Sequence, residues 1–262
     1  MNIAARLARF EDRGFSRETA RVNVLLEQAL HVLLSTFPDT FVFFGGASLV
    51  LFYGSPRHSG DLDLLVSTET APSADAVQKA LEGPLRADAE ILGYPGLTIE
   101  PARTAGEFSK LAVRAGAQIL FTIGLTKISA VIRGELVEFP IESDSGEHVT
   151  VSVPSRNLQL LFKAEAFIRR PFLRARDAFD IKLLRDAGAV LSDSLKAHLA
   201  DGAAAEKLEA PGFIAERIAQ VNSRTCVPEL RPYLPKDVYQ ELERSDFEPL
   251  RAALRDLFSE WL

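Results

Sequence analysis

The 262-residue chain has one cysteine, Cys226, so it can form neither an intrachain disulfide nor a thiolate cluster around zinc. A reducing cytoplasm is the expected setting. No stretch approaches the roughly 18 consecutive apolar residues of a membrane helix, so no membrane partner is expected. The opening residues, MNIAARLARFEDRGF, contain no uninterrupted apolar core, and no signal peptide is expected. Positive charge is not in excess either. A formal net charge of −6 argues against a protein that coats nucleic acid by bulk attraction. Internal repeats and low-complexity segments are missing too.

What remains is an ordinary globular composition, 47% hydrophobic and 25% charged, long enough for one large domain or two modest ones. The charge is uneven. Arg156, Lys163, Arg169, Arg170, Arg174, Arg176, Lys182 and Arg185 outnumber Glu165, Asp177, Asp180 and Asp186 over the same stretch. Such a local basic segment either holds a polyanion at one place or is a solvated arginine-rich helix face.

Periodicity predicts a helix over residues 16–36 behind Ser16 as N-cap, a strand at 41–44, and a helix at 47–53 directly after Gly45-Gly46. A strand follows at 61–66, then a helix closed by Gly83-Pro84. Further strands are expected at 97–100, 110–113, 118–123, 130–133, 136–141 and 149–153, and helices from Pro154 onward. The organisation is an α/β part over 1–153 and a helical part over 154–262.

The stretch FVFFGGASLVLFYGSPRHSGDLDLLV carries the chemistry. Side chains alternate along a strand, so Asp61 and Asp63 share one face while Leu62, Leu64 and Val66 take the other. Two aspartates whose Cα atoms lie about 6.6 Å apart along a strand can bring both carboxylates to one divalent cation or a close pair of them, and Mg²⁺ (or Mn²⁺) favours such oxygen ligands together with substrate phosphates. Gly45 and Gly46, between a strand and a helix start, let backbone N–H groups approach an anion. Each signal alone is weak, since Gly-Gly is usually a turn and Asp-x-Asp usually a solvated edge. Their combination in one strand–glycine–helix–loop–strand unit is far more specific.

That combination resembles the polymerase-β-like nucleotidyltransferases, and the Arg57-x-Ser59-x-Asp61-Leu62-Asp63 run resembles the AbiEii/AbiGii-type toxin nucleotidyltransferases in particular. The resemblance implies an α+β fold with a nucleotidyltransferase-type mixed sheet and flanking helices, followed by a C-terminal helical domain that completes a nucleotide and acceptor cleft. It implies NTP as substrate, Arg57 and Ser59 as triphosphate contacts, and an RNA acceptor, the 3′ end of tRNA, with a cognate antitoxin as partner. His58, in the same loop, is expected to be an exposed residue without a role.

The family also carries a helical lysine followed by Arg-Asp-x-x-Asp, matched here by Lys163, Arg176, Asp177 and Asp180. The resemblance makes Lys163 and Asp177 catalytic and sets Arg176 and Asp180 beside the nucleotide. A helical wheel adds independently that Arg176, Asp177 and Asp180 fall inside the apolar arc marked by Phe179, Ile181, Leu183 and Leu184. The bland alternative is a structural Arg176–Asp180 pair at i,i+4. Polymerase-β-like enzymes usually have a third carboxylate on a later strand. Glu100, Glu135 and Glu138, or Asp177 or Asp180 from the helical part, are the candidates. Two other functions share the strand motif. An antibiotic nucleotidyltransferase would want an acidic pocket, against the arginine-rich second half; an inactive nucleotide- or partner-binding module would explain the missing third acid. Residues 190–262 have no assigned role.

Overall fold

A computed structural model of the chain describes residues 2–128, 133–142, 148–201 and 205–261. The chain divides into two compact units, Met1–Pro154 and Ser155–Leu262.

The first unit runs α1 (Ile3–Asp12), α2 (Arg17–Thr36), β1 (Phe41–Phe44), α3 (Gly45–Phe52), β2 (Asp61–Ser67) and α4 (Ala74–Ile91). The strands β3 (Leu97–Ala105), β4 (Phe108–Ala115), β5 (Gln118–Ile128), β6 (Leu136–Glu142) and β7 (His148–Pro154) follow. They join one mixed seven-stranded sheet in the order β3-β4-β5-β2-β1-β7-β6. β2 is central, antiparallel to β1 and parallel to β5. Leu62, Leu64 and Val66 are buried on one face, so the alternation that puts Asp61 and Asp63 together on the other holds. Ser16 caps α2 as expected, its Oγ accepting from the Thr19 N–H at 3.2 Å.

Two expectations fail for physical reasons. α4 does not stop at Gly83-Pro84 but runs through both to Ile91. Its buried residues, Val77, Leu81, Leu85 and Ala89, repeat every fourth position straight across the proline. Burial of that stripe, worth roughly 1.5–3 kcal/mol per large side chain, offsets the one hydrogen bond that Pro84 removes. The strands β3, β4 and β5 also outrun their hydrophobic cores. Beyond Ile99, β3 is exposed, and ladder pairing with β4 rather than burial carries it to Ala105. α3 opens at Gly45 rather than at residue 47. The strand expected at 130–133 falls largely on residues outside those described, and Arg133 opens a 3-10 turn.

The second unit holds α5 (Arg156–Arg169), α6 (Ala175–Asp186), α7 (Asp193–Asp201), α8 (Ala205–Leu208), α9 (Phe213–Ala219), α10 (Ser223–Leu230), α11 (Lys236–Arg244) and α12 (Glu248–Leu257). Ser155 caps α5 by accepting from the Leu158 N–H at 3.2 Å. At its other end, Arg217 from α9 donates to the carbonyls of Phe167 (3.0 Å) and Arg170 (2.7 Å), oxygens that the helix itself leaves open. Burial lowers the pKa of Arg217, while Asp177 pulls it back up. Residues after 190, unassigned by sequence, supply α10 and α12 that pack on α6, and Phe258 stacks on Phe167 with centroids 5.7 Å apart.

Candidate functional site

The first unit assembles its group around three glycines. Gly45 opens α3 with φ +80°, in the left-handed region that a side chain resists. A Cβ there would stand 2.7 Å from Asp63 Oδ2, and one on Gly46 would stand 2.6 Å from Arg57 Nη2 and 2.7 Å from Ser59 Oγ. On the neighbouring strand, Gly124 pairs in register with Asp63, and a Cβ there would stand 2.9 Å from Asp63 Oδ1. The missing side chains therefore make the volume that the Asp63 carboxylate, the Arg57 guanidinium and the Ser59 hydroxyl fill. The Asp63 carboxylate abuts the first turn of α3, where the positive end of the helix dipole favours an anion. This is why β2 tolerates it.

Arg57 and Ser59 are nearly buried, at 3% and 5% exposure. Arg57 Nη1 donates to the His58 carbonyl at 3.0 Å. His58 is itself half-buried rather than exposed. Asp61 is held differently from Asp63. Its Oδ1 accepts from Lys110 Nζ at 3.1 Å and from the Thr122 hydroxyl, and its side chain keeps 40% exposure. Thr122 lies opposite Asp61 in the β2–β5 ladder.

Two hard oxygen donors on one strand face, one of them open to solvent, fit a divalent cation. Among the described residues no set of three His, Cys, Asp or Glu side chains gathers in one place. Of the candidate third acids, Glu100 lies on β3 and Glu138 on β6, each three strands from β2. At about 4.8 Å per strand that is roughly 14 Å away, too far to share a cation with Asp61 and Asp63. Glu135 sits in the turn before β6.

In the second unit, Lys163 and Asp180 are brought together. Lys163 Nζ stands 2.8 Å from Asp180 Oδ2 and 3.4 Å from Asp177 Oδ1. Arg170 Nε reaches Asp177 Oδ2 at 3.3 Å. Asp180 is fully buried, Asp177 and Lys163 nearly so, at 3% and 9% exposure. The wheel thus placed both carboxylates on the inner face correctly. The alternative reading, an i,i+4 pair of Arg176 with Asp180, is not what forms. The Arg176 guanidinium lies over the Tyr233 ring, 4.7 Å from the centroid, and Lys163 serves Asp180 instead. A lysine one helix away has a better approach to an inward-facing carboxylate than a neighbour on the same helix surface.

Sequence reasoning missed Lys110, Thr122, Gly124, Arg170 and Arg217. Lys110 in FSKLAV and Gly124 in ILFTIGL did carry a signal, since each interrupts an apolar strand and so calls for a partner or a close approach.

A protein-family model described as "Nucleotidyl transferase AbiEii toxin, Type IV TA system" matches residues 29–260. Among solved structures, a protein from H. pylori described as a nucleotidyltransferase aligns with TM-score 0.55 and 15% identity over 90% of this chain and 94% of that one. JHP933 from Helicobacter pylori aligns with TM-score 0.48 and 16% identity, covering 91% and 94%. An antigenic nucleotidyltransferase-like protein from Paracoccidioides brasiliensis aligns with TM-score 0.38 and 15% identity, covering 87% and 92%. At 15% identity the first likeness is one of fold. No curated protein matches the sequence. Among the described residues no helix is long and apolar enough to cross a membrane.

Proposed function

Because this chain belongs to the AbiEii nucleotidyltransferase toxin family, we propose that it moves a nucleoside monophosphate from an NTP to a hydroxyl of RNA, at the 3′ end of tRNA. The acceptor oxygen attacks the α-phosphorus, the bond to the bridging oxygen breaks, and pyrophosphate leaves. The observation that carries the reading is the Asp61–Asp63 face set against the glycine-opened first turn of α3. A bound Mg²⁺ or Mn²⁺ would supply Lewis-acid activation of the attacking hydroxyl and charge neutralisation of the leaving group. Asp61 and Asp63 are the residues that would hold it. Gly45 and Gly46 bring backbone N–H groups to the triphosphate, and Arg57 and Ser59, packed on Gly46, hold that turn and offer it donors.

Lys163 is the proposed phosphate cation of the helical unit, with Asp180 and Asp177 keeping it oriented, Asp180 serving the nucleotide site through that lysine, and Arg176 beside the nucleotide. The arginine-rich stretch from Arg156 is the proposed seat of the RNA acceptor. The setting is the cytoplasm, and the type IV toxin–antitoxin description of the family supports a cognate antitoxin as partner.

A catalytically inactive module is a second reading, favoured by the Lys110–Asp61 pair, which already neutralises one carboxylate. Incubation with α-labelled NTPs, Mg²⁺ and total tRNA decides between them. Label in RNA supports transfer, whereas nucleotide binding without incorporation supports the inactive module.

A further inference from the structure

We propose that Lys110 is a positioning residue and the fixed cation of the strand site, which for that reason takes a single divalent cation. The inference rests on the nucleotidyltransferase reading and goes beyond it in saying what serves the two aspartates where the facing strand β5 sets Thr122 and Gly124, not a carboxylate, opposite them.

Three observations meet at one place. Lys110 Nζ stands 3.1 Å from Asp61 Oδ1, and the Thr122 hydroxyl donates to the same oxygen. One carboxylate oxygen is thus taken by the protein itself. In the ladder, Lys110 on β4 pairs with Gly124 on β5, which pairs in turn with Asp63 on β2. The ammonium therefore comes from β4, the strand beyond β5. Finally, β5 offers only Thr122 and Gly124 opposite the two aspartates. At Gly124 even a Cβ would stand 2.9 Å from Asp63 Oδ1 and 3.4 Å from Phe108, so no carboxylate fits there.

The electrostatics follow. The Lys110 ammonium offsets one of the two carboxylate charges that an incoming cation meets, where a third carboxylate in its place would add to them. Lys110 and Asp61 both keep substantial exposure, 31% and 40% of their side chains, so a phosphate can reach the ammonium without unfolding the sheet. Lys110 then fixes the Asp61 rotamer and offsets triphosphate charge, work that a second metal ion does elsewhere.

The test is Mn²⁺ titration of the full chain followed by electron paramagnetic resonance, without nucleotide, beside steady-state transfer. Wild type should bind one Mn²⁺ per chain. Lys110→Met should bind Mn²⁺ about tenfold tighter, because a like charge leaves the site, yet show kcat at least about tenfold lower. Lys110→Arg should keep wild-type Mn²⁺ affinity and recover part of kcat. Binding of two ions, an unchanged or weaker Mn²⁺ affinity in Lys110→Met, no Mn²⁺ binding by either protein, or tighter binding with unchanged kcat would each overturn the proposal. Asp61→Asn and Asp63→Asn separate the two readings: if both bind Mn²⁺ like wild type, it is the metal-site reading that fails. A melting curve for each variant guards against misfolding.

Discussion

The Lys163 ammonium stands 2.8 Å from Asp180 Oδ2, and the two side chains keep only 11% and 0% exposure. A pair so enclosed is strongly destabilising to break and nearly neutral to replace. Asp180→Ala should cost up to about 3–5 kcal/mol in urea unfolding by removing the nearer of the two carboxylates that hold the buried lysine, and Lys163→Met in the same background should recover much of it. Asp177 also has Arg170 at 3.3 Å. Asp177→Ala should therefore lose nucleotide transfer more than stability. If both single variants lose only stability and keep specific activity, the cluster is structural alone.

Gly124 faces Asp63 with no room for a methyl group. Gly124→Ala should displace the Asp63 carboxylate and lower Mn²⁺ affinity about tenfold, a shift of about 1.4 kcal/mol. The melting temperature should move far less than in Asp180→Ala. Unchanged Mn²⁺ affinity in calorimetry would mean that Asp63 does not hold the cation.

Gly83 is exposed inside α4, and a Cβ added there would meet no heavy atom within 4 Å. Gly83→Ala should stabilise the protein by less than the roughly 1 kcal/mol of an ordinary exposed helix position, since the Pro84 ring crowds a Cβ on the residue before it. A gain of the full amount in urea unfolding would contradict helical backbone at Gly83 ahead of the proline.

Burial pushes the Cys226 thiol from its ordinary 9.0 up to about 11. The folded value exceeds the unfolded one, so its contribution to stability is full below about pH 9 and fades as pH rises through 11. At pH 8 a thiol reagent should modify native Cys226 about 10²-fold more slowly than the urea-unfolded chain, following the thiolate fraction. Equal rates would place the thiol at the surface.

How much of this was legible follows from where the information lies. The Asp61/Leu62/Asp63/Leu64 alternation, the Ser16 cap and the inward face of Asp177 and Asp180 are local properties, readable at one strand or helix period. The partners are not local. Lys110 and Thr122 reach Asp61 from 49 and 61 residues away, through strand register that no single segment encodes. The same holds for Asp180, whose lysine comes from α5 rather than from Arg176 on its own helix. Gly83-Pro84 misled because a breaker signal is local, whereas the stripe from Val77 to Ala89 that overrides it gains its energy from tertiary burial.

The central claim, that the Asp61–Asp63 face carries nucleotide transfer, is tested most directly by label incorporation. Wild type, Asp61→Asn and Asp63→Asn are each incubated with α-labelled NTPs, Mg²⁺ and tRNA, with circular dichroism recorded on the same samples. Label should enter RNA with wild type and fall by about 10²-fold or more in both variants, their spectra unchanged. Near-normal incorporation by either variant would contradict the account.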